Sequence, residues 1–225
     1  MITKLKSNVK LKESLLGVFI FIIYIVFGII AFPSKDNIEE FNALYYIICM
    51  LFTIALITYV YINDLKVELK DFFKKFFKNI LKCFGLFILL FLIITIGNFL
   101  IDNFLGWTKL NTDTLIFPNM KALLPYTIFA LVIYTPFIEG IVFTKVLNKI
   151  INHKVIWILL SGLLYGFMQA GFDFSNLLMI VSSIPYVIIG IIVAIVYEKK
   201  KNVFFPIFIW LFYYLFQLLV QYMAL

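Results

Sequence analysis

The sequence predicts an all-α integral membrane protein of about seven transmembrane helices plus one cytoplasmic interfacial amphipathic helix, and three observations carry that prediction. Hydrophobic residues make up 64% of the 225-residue chain, with 27 phenylalanines among them, more apolar surface than a soluble core of this size can cover. The apolar residues fall in runs that can cross a hydrocarbon core, which takes about 20 residues in a helix. The lysines sit between those runs and alternate in number from one connection to the next, the asymmetry that sets orientation in a bilayer.

The spans are expected at about residues 15–32, 43–62, 80–101, 122–144, 155–171, 174–197 and 203–224. The first follows Lys4, Lys6, Lys10 and Lys12 and ends at Ile30-Ala31-Phe32-Pro33. It is longer than the apolar core of a signal peptide and lacks a small-residue cleavage site, so it is read as a retained span. After the second span, residues 63–80 place Leu65, Leu69, Phe72, Phe73, Phe76, Phe77 and Ile80 at helical spacing with lysines opposite. That pattern predicts a helix lying on the cytoplasmic leaflet and attracted by anionic lipid. The fifth run is the shortest, and no soluble domain is left over, so residues 1–225 are read as a single polytopic membrane domain.

Sidedness follows from the lysines, since the chain has no arginine. Lys4, Lys6, Lys10 and Lys12, then Lys66, Lys70, Lys74, Lys75, Lys78 and Lys82, then Lys145, Lys149 and Lys154, then Lys199, Lys200 and Lys201 all fall on one side. The opposite connections hold only Lys35, Lys109 and Lys121, beside Asp36, Glu39, Glu40, Asp102, Asp113 and Asp173. The expectation is a multi-pass protein of a bacterial cell membrane with its N-terminus in the cytoplasm and its C-terminus outside. The net charge of +7 is thus spent on topology, and the expected partners are membrane lipids and another membrane protein or peptide, with no nucleic acid. Cys49 and Cys83 lie in apolar runs without CxxC spacing, so neither a disulfide framework nor a zinc site is expected, and no metal or other cofactor is predicted.

Glu139 is the acidic residue nearest the middle of an apolar run. A carboxylate at bilayer depth costs about 2.5–3.5 kcal/mol on insertion scales, so it persists only where it faces a bundle interior or finds partners. It is the leading candidate for a functional residue. Its expected structural role is a buried acid hydrogen-bonded to Gln169, Tyr165 or a neighbouring threonine. The single histidine, His153, lies in a short basic connection, outside any span.

Three stretches from span four onward resemble the motifs of the CPBP family, the CAAX-protease and bacteriocin-processing membrane proteins also called the Abi family. Pro136-Phe137-Ile138-Glu139-Gly140-Ile141-Val142-Phe143-Thr144 is similar to the family's EExxxR signature, with Gly140 at the second glutamate and Thr144 at the arginine. Ser161-Gly162-Leu163-Leu164-Tyr165-Gly166-Phe167-Met168-Gln169 resembles the small-residue helix that carries a histidine four residues after an aromatic, with Gln169 at the histidine. The segment from Gly190 to Tyr197, followed by Lys201-Asn202 and the run from Val203 to Tyr214 with Pro206, resembles the turn and HxxxN helix, with Trp210 at the histidine and Tyr214 at the asparagine. The resemblance covers about residues 121–215.

The resemblance implies a glutamate that activates a water, two assisting histidines, and an asparagine that helps hold the oxyanion of a cleaved peptide bond. Of that set only Glu139 stands here. Gln169 donates a hydrogen bond but does not exchange a proton near neutral pH, Trp210 is a donor only, and Tyr214 ordinarily titrates near pH 10. The reading is therefore a CPBP-like protein with a degenerate site, working as a scaffold, regulator or bacteriocin-immunity-type protein rather than as an enzyme. Two alternatives stay open: an active intramembrane CAAX-type endopeptidase using Glu139, and a small-molecule transport subunit.

Overall fold

In the computed structural model, residues 15–24, 26, 43–151, with 106–123 excepted, 153–169 and 177–223 are described. Every described element is a helix, and no strand occurs among these residues. In chain order they are α1 (Leu15–Tyr24), α2 (Ala43–Phe73), α3 (Phe76–Leu105), α4 (Leu124–Ile150), α5 (Lys154–Gln169), α6 (Leu177–Lys200) and α7 (Phe204–Met223). The stretches Leu44–Phe73, Phe76–Asn103, Leu124–Ile150 and Ile180–Lys200 are long and apolar enough to cross a membrane, whereas Leu15–Tyr24, Lys154–Gln169 and Phe204–Val220 are shorter apolar helices. The described residues thus form a helical protein with four helices long enough to cross a membrane, and the three shorter apolar helices fall at the first, fifth and seventh of the expected spans. The second half of the first expected span and most of the lysine-poor connections lie outside the described residues.

α4 is the central helix. In its most apolar stretch 72% of the residues are buried inside the protein, against 17–39% for the other three long helices, so it faces neighbours and the others face outward. Two π-helical segments, Phe129–Tyr134 and Ile141–Val146, interrupt it. The first ends two residues before Pro136, whose ring removes a helical N–H and crowds the carbonyl four residues back, within that segment; a wider turn there relieves both.

α5 and α6 cross backbone to backbone. A Cβ on Gly162 would lie 2.3 Å from Ile191 Cγ1 and 2.7 Å from the Val187 carbonyl oxygen, and one on Gly166 would lie 2.8 Å from the Val187 nitrogen. This is the small-xxx-small packing by which membrane helices approach closely, and it presses the Tyr165 face of α5 toward the interior. α7 packs on α4 and on α3. Phenylalanines form the α3–α7 seam, where Phe91 meets Phe216 at 4.7 Å and Phe84 meets Phe212 at 5.5 Å.

The amphipathic stretch 63–80 departs from expectation. It is not a separate helix: residues up to Phe73 continue α2 past a break at Tyr61 (φ −109°, ψ 15°), and a turn at Lys74–Lys75 separates them from α3. The Asn79 side-chain amide donates to the Phe72 carbonyl at 2.8 Å, satisfying an open carbonyl at the end of α2. A polar side chain that caps from the next helix is invisible to a periodicity argument, which saw only the continuing apolar face. Phe72 turns inward from this segment and stacks on Phe208 of α7 at 5.0 Å.

Candidate functional site

Glu139 lies on α4 between the two π segments and is 1% exposed. The Tyr24 hydroxyl donates to one carboxylate oxygen at 2.8 Å and the Tyr214 hydroxyl donates to the other, also at 2.8 Å. The expected partners were Gln169, Tyr165 or a threonine. The correction has a simple cause: α1 and α7 flank α4 at this level and offer rigid phenols with the reach to meet a carboxylate at the helix centre.

Aromatic rings close the space around the carboxylate. Tyr165 stacks on Trp210 at 4.5 Å, Phe143 stands edge-on to Tyr165 at 5.5 Å and to Tyr24 at 5.9 Å, and Trp210 leans on Tyr213 and Tyr214. The Trp210 indole N–H is buried without an acceptor among the described residues. Of the four positions marked by the motifs, Glu139 and Tyr214 are bonded to each other, and Trp210 adjoins Tyr214. Gln169 is half-buried at the end of α5, and both oxygens of Glu139 are engaged elsewhere. His153 stays outside the site: it is exposed before α5, where its Nδ1 accepts from the Ile156 amide at 3.4 Å.

Gly140, at the motif's second glutamate, touches α7 directly. A Cβ there would lie 2.6 Å from Ile207 Cγ1, 2.9 Å from the Ile207 nitrogen and 3.1 Å from its Cα. The loss of a side chain is what lets α7 come close enough for Tyr214 to reach Glu139. Thr144, at the arginine position, donates its hydroxyl to the Gly140 carbonyl within α4.

The cation is Lys145, which the sequence analysis counted only as a topology lysine. Lys145 lies in the second π-helical segment, next to Thr144. Lys145 is 3% exposed and pairs with Glu68 at 2.5 Å and Asp64 at 3.1 Å. Glu68 also accepts from the Val203 amide at 2.6 Å, and its backbone carbonyl accepts from the Asn202 side chain at 2.6 Å. Asn202 Oδ1 in turn caps α7 through the Phe204 amide at 3.0 Å. One buried ion pair therefore ties the inner end of α2 to α4 and to the start of α7, the helix that carries Trp210 and Tyr214. Removing one partner of a buried pair costs about 3–5 kcal/mol, because the other is left uncompensated. Glu68→Ala is expected to lower the thermal stability of the purified protein by nearly that much, and Asp64→Ala by clearly less, since the Asp64 side chain is 44% exposed; equal losses would place the pairing elsewhere.

Two site residues escaped sequence reasoning, Tyr24 and Lys145. A faint signal existed for each: the lone tyrosine in an otherwise fully apolar first run, and a lysine directly following the first motif. Among the described residues no cluster of three or more His, Cys, Asp or Glu side chains could hold a metal ion.

Comparison with known proteins finds a family over the same stretch as the three motifs. Residues 121–216 match the family model described as Rce1-like, type II CAAX prenyl endopeptidase Rce1-like. No curated protein and no solved structure matches the chain. The matched segment holds α4 to most of α7, with Glu139, Gln169, Trp210 and Tyr214 inside it and Tyr24 outside. Residues 121–216 are thus an Rce1-like domain of the CPBP family.

Proposed function

We propose that this protein is a CPBP-family member whose former protease site has become a structural core, and that it acts by binding another membrane protein or peptide, as a scaffold, regulator or immunity-type protein. The observation that carries the reading is the pairing of both Glu139 oxygens with phenols, one of them Tyr214 at the position of the motif asparagine. A general base must reach the water it activates at about 2.6–3.2 Å, and a peptide-cleaving site needs donors aimed at the developing oxyanion. Around Glu139 those places hold the rings of Tyr24, Phe143, Tyr165, Trp210 and Tyr214. No imidazole stands there to exchange a proton near neutral pH.

The same reading takes the chain as a seven-span protein with the N-terminus and the lysine-rich connections in the cytoplasm and the C-terminus outside. The count of lysines per connection supports that orientation.

The test is a cleavage assay on the full chain in bilayer nanodiscs, with a prenylated CAAX-type peptide as substrate and mass spectrometry as readout. The expected result is no product above that of Glu139→Ala. A product made by the wild type and lost in Glu139→Ala would overturn the proposal in favour of a live endopeptidase.

A further inference from the structure

The corner where α2 turns into α3 combines charge and exposed apolar surface at one end of the bundle. Lys66, Lys70, Lys74, Lys75, Lys78 and Lys82 are all exposed there. Of the acidic groups nearby, Asp71 pairs with Lys74 at 2.6 Å and Glu68 faces inward to Lys145. Lys66, Lys70, Lys75, Lys78 and Lys82 make no ion pair among the described residues. Between them Val67, Phe73, Phe77 and Leu81 are exposed, Phe77 at 86% and Leu81 at 71%. The corner joins two helices whose apolar stretches, Leu44–Phe73 and Phe76–Asn103, are each long enough to cross a membrane. Its place is therefore the boundary between acyl chains and headgroups.

We infer that the α2–α3 corner is a binding surface for anionic phospholipid, with the five free lysines taking headgroup phosphates and Phe77 and Leu81 inserted among the acyl chains. Charge complementarity selects this occupant: lysine stems lie along apolar surface while their ammonium groups reach the phosphate level, and aromatic side chains settle at the same boundary. A soluble acidic partner would leave Phe77 and Leu81 in water. The inner face of the same segment holds Asp64 and Glu68 on Lys145 and the start of α7. Lipid bound outside thus braces the helix that positions the Glu139 site.

The experiment uses the full chain reconstituted with equal parts phosphatidylglycerol and phosphatidylcholine, then washed with mild detergent, with retained lipid counted by mass spectrometry. The wild type is expected to retain phosphatidylglycerol selectively, and its thermal stability to rise with that lipid and not with phosphatidylcholine. Lys70→Gln/Lys75→Gln/Lys78→Gln/Lys82→Gln is expected to lose the selectivity, by about fivefold for each lysine that contacts a phosphate at low salt. The milder Lys75→Gln/Lys78→Gln pair should lose part of it, and high salt should shrink the difference in the wild type. Equal retention of both lipids by the wild type, or unchanged selectivity in the lysine variants, would overturn the inference. None of these outcomes depends on whether the Glu139 site cleaves peptides.

Discussion

Gly140→Glu, which would restore the second glutamate of the family signature, is expected to abolish folding rather than revive a protease. The reason is steric before it is electrostatic. A Cβ at residue 140 already meets Ile207 at side chain, backbone nitrogen and Cα, all within 3.1 Å, and backbone cannot rotate out of the way as a flexible side chain would. α7 would have to move bodily, and with it Trp210 and Tyr214. Inserting extra methylenes into a well-packed core costs about 1–3 kcal/mol even when neighbours can adjust; here a carboxylate would also be driven between two helices at bilayer depth, at about another 3 kcal/mol. Gly140→Ala should show the steric part alone, as a partial loss of thermal stability. The check is the yield of monodisperse protein in detergent: near zero for Gly140→Glu, reduced for Gly140→Ala. Normal yield and stability for both would mean that α7 does not sit on Gly140.

Glu139→Ala carries the second large effect. The substitution removes the carboxylate to which both the Tyr24 and Tyr214 hydroxyls donate. An orphaned buried polar group costs about 1–3 kcal/mol, while hydrogen bonds between membrane helices average nearer 0.6 kcal/mol because the unfolded chain in the bilayer also finds partners. Weighing the two, a loss of about 2–3 kcal/mol is expected for Glu139→Ala, and less for Glu139→Gln, which keeps a carbonyl acceptor for one phenol. Tyr24→Phe and Tyr214→Phe should each cost about 1 kcal/mol. A catalytic carboxylate behaves in the opposite way, since groups held for chemistry are commonly held at some expense of stability and their removal is neutral or stabilising.

Much of this was legible in the chain. The helical membrane class follows from apolar content, and the order of the three degenerate motifs located the domain that the family comparison bears out over residues 121–216. Glu139 could be singled out because a lone carboxylate in an apolar run is costly. What the sequence withheld was pairing between distant helices. Tyr24 lies 115 residues from Glu139, and nothing in a periodicity says which of thirteen tyrosines meets it. Gln169 was expected as a partner of Glu139 by motif frame, but a frame does not say which side chain meets the carboxylate, and its oxygens accept from Tyr24 and Tyr214. Lys145 was hidden for the same reason: its acidic partners Glu68 and Asp64 lie on α2, far away in the sequence. The interfacial helix failed at Lys74–Lys75 because the break is stabilised by Asn79 from beyond it.

The most direct measurement is a double-mutant cycle on thermal unfolding in lipid nanodiscs, with wild type, Glu139→Gln, Tyr214→Phe and the double variant. If Glu139 is a structural acceptor, both single variants are less stable than wild type and the double variant loses less than their sum, with a coupling of about 1 kcal/mol. Strict additivity, or a Glu139→Gln protein as stable as wild type or more so, would contradict that role and return Glu139 to the catalytic column.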